Sequence, residues 1–513
     1  MVNSSSNLAV EVGEQSVVRR MLGMFAPVRR GELVTVVLLT TNVFVLLTCY
    51  YVLKVLREPL ILLGGGAELK AYASAGQTLL LLGVVPAFGW LSNRVNRIRL
   101  LTTVQLIFLG CLIAFYALAQ AHAPIGLAFY LWLGIFNIMV VANFWSFAND
   151  LYTEEQGKRL FAIIGVGGSL GAIVGAFVPH LLQQAIGAYA LLLVAAAAVG
   201  VSIVLYRVID RRERRLAAQR PVRAATAGGA PEPEMTRKGG FALVIKDRYL
   251  RLLAAMLLVA TIINTTGEYV VGKMASDRGK AYAAQVEASE AAAAATPAAP
   301  GDAKPARAAD AKPDKAADGK HKGVDSAEGR YIERFYADYY SVVNLLSFLL
   351  QALVVARLLT WLGIRRALFV MPVIVLCGWI GLALFVGLTM VRIEKTAENS
   401  LDYSLHNTLR QALFLPTSRD AKYKGKAAID TFFFRMGDVI AGLGIVFLFV
   451  EVLGLGVRAF AVLNIALAAC WLLLAGRAGR LHEQLAAASE AATAAGAPAG
   501  SAAAGAVRAT EGA

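Results

Sequence analysis

The chain has 513 residues, 58% of them hydrophobic and only 17% charged, with a mean hydropathy of +0.60. That balance excludes an ordinary soluble protein and points to the bilayer as solvent. The formal net charge of +15 is spread over alternate joints rather than gathered in one patch, which excludes nucleic-acid binding as the main role.

The predicted elements, taken in order, describe an all-α polytopic membrane protein of about twelve spans. Residues 1–32 form an N-terminal segment without the short apolar region and small-residue cleavage site of a signal peptide, so the first span is expected to stay as an anchor. Six spans follow near 33–56, 71–91, 100–120, 124–147, 160–183 and 186–208, together an N-terminal six-helix bundle over 33–208. A basic central loop, 209–248, contains Pro231 and Pro233. A second bundle, 249–476, has spans near 249–272, 336–358, 366–391, 394–416, 427–450 and 457–476. Residues 276–330 interrupt it with a tract of Ala, Lys, Asp and Pro, poor in large apolar side chains, and read as a disordered external insertion. The tail, 477–513, has the same character and reads as disordered.

Charge sets the orientation. Arg19, Arg20, Arg29 and Arg30 precede the first span, and Arg94, Arg97 and Arg99 follow the second. Lys158 and Arg159 follow the fourth, and Arg207, Arg211, Arg212, Arg214 and Arg215 the sixth, whereas 120–124 and 183–187 carry no Lys or Arg. By the positive-inside rule both termini are expected in the cytoplasm, with the chain multi-pass in the inner membrane. The tenth span is too charged for a hydropathy test. Crossing there nevertheless keeps Arg419, Lys422, Lys424, Lys426, Arg477 and Arg480 on the cytoplasmic side.

The four cysteines, Cys49, Cys111, Cys377 and Cys470, sit singly in apolar runs and read as small packing residues rather than metal or redox ligands. Gly167, Gly171 and Gly175 recur every four residues and predict close helix packing. No P-loop, His-Glu-x-x-His or Gly-x-Ser-x-Gly pattern occurs, so no enzymatic activity, metal or cofactor is expected. His122, His180, His321 and His482 lie at joints or in tails without ligand spacing.

Ionisable residues inside spans are costly and so mark cavities or ion pairs. At about 100° per residue, Lys395, Asn399, Asp402, His406 and Arg410 fall on one stripe of a straight helix, expected to face a central aqueous cavity. Glu268 follows Asn264, Thr265 and Thr266 in span seven, while Lys54, Arg57 and Glu58 end span one before Pro59. Lys54 and Arg57 are also placed to snorkel toward headgroups. Asp430, Arg435 and Asp438 are spaced for pairing within one helix.

The halves echo each other: Glu154, Glu155, Gly157, Lys158 and Arg159 follow span four, and Arg419, Asp420, Gly425 and Lys426 follow span ten in the same orientation. A parallel repeat of six-span halves is the major facilitator arrangement. Gly89, Trp90, Leu91, Ser92, Asn93, Arg94 resembles the loop after span two in that superfamily, with Asn93 where aspartate is usual. Three stretches further resemble the ATP/ADP translocase family: Leu53-Lys54-Val55-Leu56-Arg57-Glu58; Phe144-Trp145-Ser146-Phe147-Ala148-Asn149 with Lys158 and Arg159; and Tyr403-Ser404-Leu405 with Pro416 and Lys424-Gly425-Lys426-Ala427-Ala428-Ile429-Asp430. The resemblance implies a major facilitator-like carrier of a small anionic substrate, a nucleotide or another organic phosphate. It assigns Arg57, Glu268, Arg410 and Lys426 to the binding site. Span four departs from the family in having no acidic residue, only Asn137 and Asn143. The residues also leave open a proton-coupled carrier of a different solute, suggested by Asp402, His406 and Glu268, and a non-transporting scaffold or sensor.

Overall fold

A computed structural model describes residues 32–92, 97–152, 154–219, 240–295, 323–418 and 420–494. The N-terminal segment up to residue 31, the loop motif at 93–96, the bulk of the central loop, residues 296–322 and the end of the tail lie outside the described residues.

The described residues are almost wholly helical. The first element, α1 (Leu33–Ser92), turns back on itself at Gly65 and Gly66. Gly66 has φ 73° and ψ −172°, a region that only a residue without Cβ enters cheaply. Then come α2 (Arg97–Gln120), α3 (Gly126–Leu151), α4 (Glu154–Ile186) and α5 (Leu191–Gln219). The short α6 (Gly240–Lys246) leads into α7 (Arg248–Ala295) and α8 (Ala327–Ala367), the latter passing through a π-turn at Leu350–Val355. Next, α9 (Val370–Leu384) precedes α10 (388–412), which contains a π-turn at Asp402–His406. The last two are α11 (421–452), with π-turns along much of its length, and α12 (Val457–Ala494).

Nine helices among the described residues are long and apolar enough to cross a membrane, the first of them running through the break in α1. The α10 helix is long enough, at about 1.5 Å per residue, but too charged to count among them. Leu79, Ile107, Leu181, Val204, Leu384 and Leu473 are each more than half exposed. An outward apolar surface of this kind is what lipid requires.

Two cores hold the fold. One packs Phe129, Phe136, Phe144 and Phe147 of α3 against α1, α2 and α5. The other gathers Tyr336 and Tyr339 of α8, Trp379 of α9 and Trp471 of α12, and reaches across to Tyr51 and Val55 of α1. The glycine stripe has the packing role expected of it. A Cβ on Gly171 would stand 2.4 Å from the Phe44 carbonyl oxygen, and one on Gly175 2.4 Å from that of Thr48. Only glycine lets α4 approach the α1 backbone so closely.

Three expectations are corrected. Of the insertion 276–330, expected to be disordered, residues 276–295 continue α7 as helix and 327–330 open α8. The tail is helical to Ala494, and α5 reaches Gln219 into the expected central loop. Each stretch is rich in alanine or other strong helix formers, and each extends a helix already nucleated, so propagation costs little even without a core to join.

Candidate functional site

Between the halves lies a cavity of about 240 Å³. Helical spacing builds it. Tyr50, Lys54 and Arg57 project from one face of α1 before the break, and Lys70, Ser74 and Gln77 from one face after it. Tyr130 and Asn137 come from α3, Asn264, Thr265 and Glu268 from α7, and Tyr340 from α8. Asn399 and Tyr403 of α10 and Phe434, Arg435 and Asp438 of α11 complete the lining.

The charges form a chain with one loose end. Glu58, fully buried, pairs with Arg57 and receives Lys70 Nζ at 2.7 Å. Lys70 crosses to the other half, reaching Glu268 Oε2 at 3.3 Å. Asn399 Nδ2 donates to Glu268 Oε1 at 3.1 Å and to the Tyr339 hydroxyl at 2.7 Å, and Tyr340 donates to Glu58 Oε1 at 3.1 Å. Arg435 pairs with Asp438 at 3.4 Å, and Thr265 donates to Asp438 Oδ1 at 2.7 Å.

Lys54 differs from the other cations of the lining. Its side chain is buried, with the ammonium 4.1 Å from the centre of the Tyr340 ring, 5.1 Å from that of Tyr51 and 3.4 Å from the Tyr403 hydroxyl. Among the described residues no carboxylate stands within ion-pair distance of it, whereas Arg57, Lys70 and Arg435 each have one. The tyrosines offer a cation their π faces but no counter-charge.

Polar links between the halves run from this cavity toward the end of the molecule where α1 breaks. Glu68 receives the Tyr269 hydroxyl at 3.0 Å and Lys273 at 3.5 Å, and Tyr72 donates to Glu451 at 3.2 Å. The Ala188 amide donates to Asp325 at 3.2 Å, and Gln183 donates to Glu333. These links tie the two halves together at that end. A larger hollow of about 940 Å³ lies there, bounded by Leu60, Gly126, Ile186, Tyr189 and Val324, with no Lys or Arg among the described residues of its wall.

Of the residues singled out from sequence, Lys54, Arg57, Glu268 and Asn399 line the cavity. Lys395 lies one layer behind, fully buried, donating to Asn264 Oδ1 at 2.8 Å and pairing with Glu398 at 3.0 Å. Asp402, His406 and Arg410 do not line the cavity, contrary to the stripe expected of a straight helix. The π-turn at Asp402–His406 shifts the bonding from i→i+4 to i→i+5 and so rotates the helix beyond it, Arg410 included, off the face that Lys395 and Asn399 share. His406 packs edge-on against Trp471, and Arg410 stands 3.6 Å from Asp430. Lys426 donates to Gln411 and lies over Phe414, away from the cavity. Sequence reasoning missed Lys70, Tyr340 and Tyr403 as lining residues. Lys70 directly precedes the second predicted span, and its spacing with Ser74 and Gln77 was the available signal.

Helices of membrane-crossing length in two facing bundles, with a charged chamber between them, define a membrane transporter of the major facilitator kind. A Major Facilitator Superfamily model matches residues 71–284, and a TLC ATP/ADP transporter model matches residues 334–480, so the superfamily is met in the first half and the ATP/ADP transporter resemblance in the second. Among solved structures the chain is similar to a peptide transporter POT in complex with sulfate, at 15% identity and TM-score 0.55, covering 91% of this chain and 99% of that one. It is similar also to the nucleoside transporter NupG, at 13% identity and TM-score 0.54, covering 88% and 99%. A bacterial homolog of the human lysosomal transporter Spinster, inward-facing and unoccupied, aligns at 12% identity and TM-score 0.51, covering 89% and 99%. At these identities the likeness is one of fold. No curated protein matches the chain significantly.

Proposed function

We propose that this protein is a secondary transporter that moves an anionic phosphorylated metabolite, with ATP, ADP and other nucleotides among the candidates, by alternating access. The observation that carries the reading is Lys54, a buried cation aimed into the cavity without a carboxylate partner. Leaving an ion in that position costs several kcal/mol, and an anionic ligand supplies the missing charge. Arg57 and Lys70 stand on the same wall and add positive potential, and ammonium and guanidinium groups are natural phosphate ligands. The rings of Tyr50, Tyr130, Tyr340 and Tyr403 suit a planar base or a sugar face. The cavity, at about 240 Å³, is below the ~300 Å³ usual for sites holding drug-sized ligands, so a nucleotide would enter with the halves further apart.

In this reading the helices make twelve crossings of the inner membrane with both termini cytoplasmic. Residue 66, the 186–190 turn and residues 323–326 then lie outside, and the polar links between the halves at that end form the external gate. The chain performs no covalent chemistry. A thermal-shift panel on the purified protein tests the reading, because a ligand bound only to the folded state adds about 2.7 kcal/mol at a hundred times its Kd. Phosphorylated compounds are expected to raise the Tm and their dephosphorylated analogues not to. Equal shifts from both sets would refute anion recognition.

A further inference from the structure

One cluster inside the membrane region takes no part in the cavity described above. Glu394 and Glu398 stand one turn apart on α10, 4% and 2% exposed, with Lys395, fully buried, between them in sequence. The Glu394 side chain fills a groove on α9 left by Gly378, where an added Cβ would come within 2.4 Å of Glu394 Cγ. Neither Glu394 oxygen meets a hydrogen-bond donor. One turn on along the same face of α10 stands the Glu398 carboxyl, at the spacing that lets two helical side chains meet. Glu398 is in turn held by Lys395 at 3.0 Å.

Among the described residues the surroundings supply no second cation. On α9 the neighbours are Gly378 and the Trp379 indole. On α7 they are Asn264, which receives Lys395, and Glu268, an anion already shared between Lys70 and Asn399. On α8 the Tyr339 hydroxyl donates to the Lys395 carbonyl at 3.3 Å. On α10 itself Asp402 adds another carboxyl a turn further on, and Arg392 lies over the Phe335 ring, 5.5 Å from its centre. One ammonium thus faces two carboxyls. A buried carboxylate with neither cation nor donor is far costlier than the neutral acid, so one of the pair holds a proton. With Glu394 protonated and donating to Glu398, the trio with Lys395 is neutral and every group but one carboxyl oxygen is served.

We propose that Glu394, Glu398 and Lys395 form a proton-binding site through which transport is coupled to proton movement. The proton binds to and leaves one carboxyl oxygen as the halves rock and water reaches the pair. The link to the substrate cavity is short: Lys395 donates to Asn264, which lines the cavity, and the next residue on its face, Asn399, holds Glu268 there. Losing the proton leaves Lys395 drawn by two anions rather than one, and the change reaches the cavity through those two amides. The proton site stands on its own geometry; the coupling rests on the transport reading given above.

The first test needs no substrate. Infrared spectra of the full-length protein in lipid vesicles at neutral pH are expected to contain the C=O stretch of a protonated carboxylic acid, weakened in Glu394→Gln. Absence of such a band from the wild-type protein overturns the proposal whether or not the variant folds, and so does an unchanged band in a folded variant. The second test imposes an inward proton gradient on the same vesicles and follows labelled ADP and inorganic phosphate. For one proton per substrate, wild type is expected to accumulate the probe it exchanges by up to about tenfold per pH unit. Glu394→Gln is expected to exchange without accumulating. Gradient-driven accumulation by the variant equal to wild type overturns the coupling. Failure of wild type to exchange either probe counts against the proposed substrate class and leaves the infrared result to decide the proton site.

Discussion

Replacing Lys54 with methionine separates a binding role from a structural one. Lys54 is 7% exposed, its ammonium 4.1 Å from the Tyr340 ring centre, with no carboxylate in range among the described residues. Burying an ion costs several kcal/mol even after relaxation, and one desolvated cation–π contact returns about 2 kcal/mol. Methionine has similar length, no charge, and favourable sulfur–aromatic contacts. The variant is therefore expected to be as stable as wild type or more so. A substrate anion would lose one charge-assisted hydrogen bond worth about 1.5–3 kcal/mol, a weakening of roughly tenfold to 150-fold. Lys54→Arg keeps charge and ring contact and is expected to fall between. The assay is paired, with Tm and uptake KM measured on the same preparation. A fall in Tm with an unchanged KM would refute the reasoning, because it would make Lys54 a packing group.

Glu58→Gln removes the carboxylate shared by Arg57, Lys70 and Tyr340 and is expected to cost about 3–5 kcal/mol, read as a lower thermal midpoint with substrate affinity weakened as well. Gly171→Val is expected to cost at least ~1–3 kcal/mol, because even its Cβ meets the Phe44 carbonyl; folded yield by size-exclusion chromatography checks it. Arg57→Ala should weaken substrate binding, while Arg410→Ala, which frees a partly exposed pair with Asp430, should leave KM near wild type; a large KM effect from Arg410→Ala alone would relocate the site.

Much of this molecule was legible in the sequence because the bilayer constrains it so strongly. Apolar length and Arg/Lys asymmetry identified a polytopic helical protein, and the Gly167–Gly171–Gly175 spacing announced a backbone contact that the packing of α4 on α1 realises. The cavity was only partly legible. Lys54 and Arg57 stood out as charges inside an apolar run, and Glu268 and Asn399 by their neighbours. The stripe beyond Asn399 misled, because a wheel drawn at a constant angle has no term for the π-turn at Asp402–His406. Glu394 and Glu398 were hidden for a related reason. In a segment of many charges, burial rather than residue type separates a solvated carboxylate from one wedged against Gly378, and burial depends on the neighbouring helix.

The central claim is that the cavity between the halves carries a phosphorylated anion, and counterflow tests it most directly. Vesicles containing the purified protein and preloaded with one unlabelled compound, from a series including ATP, ADP and inorganic phosphate, are diluted into the labelled form. At least one phosphorylated compound is expected to show protein-dependent transient accumulation, with exchange sharply reduced in Lys54→Met of normal stability. No counterflow with any phosphorylated compound, or equal counterflow by the Lys54→Met protein, would contradict the account.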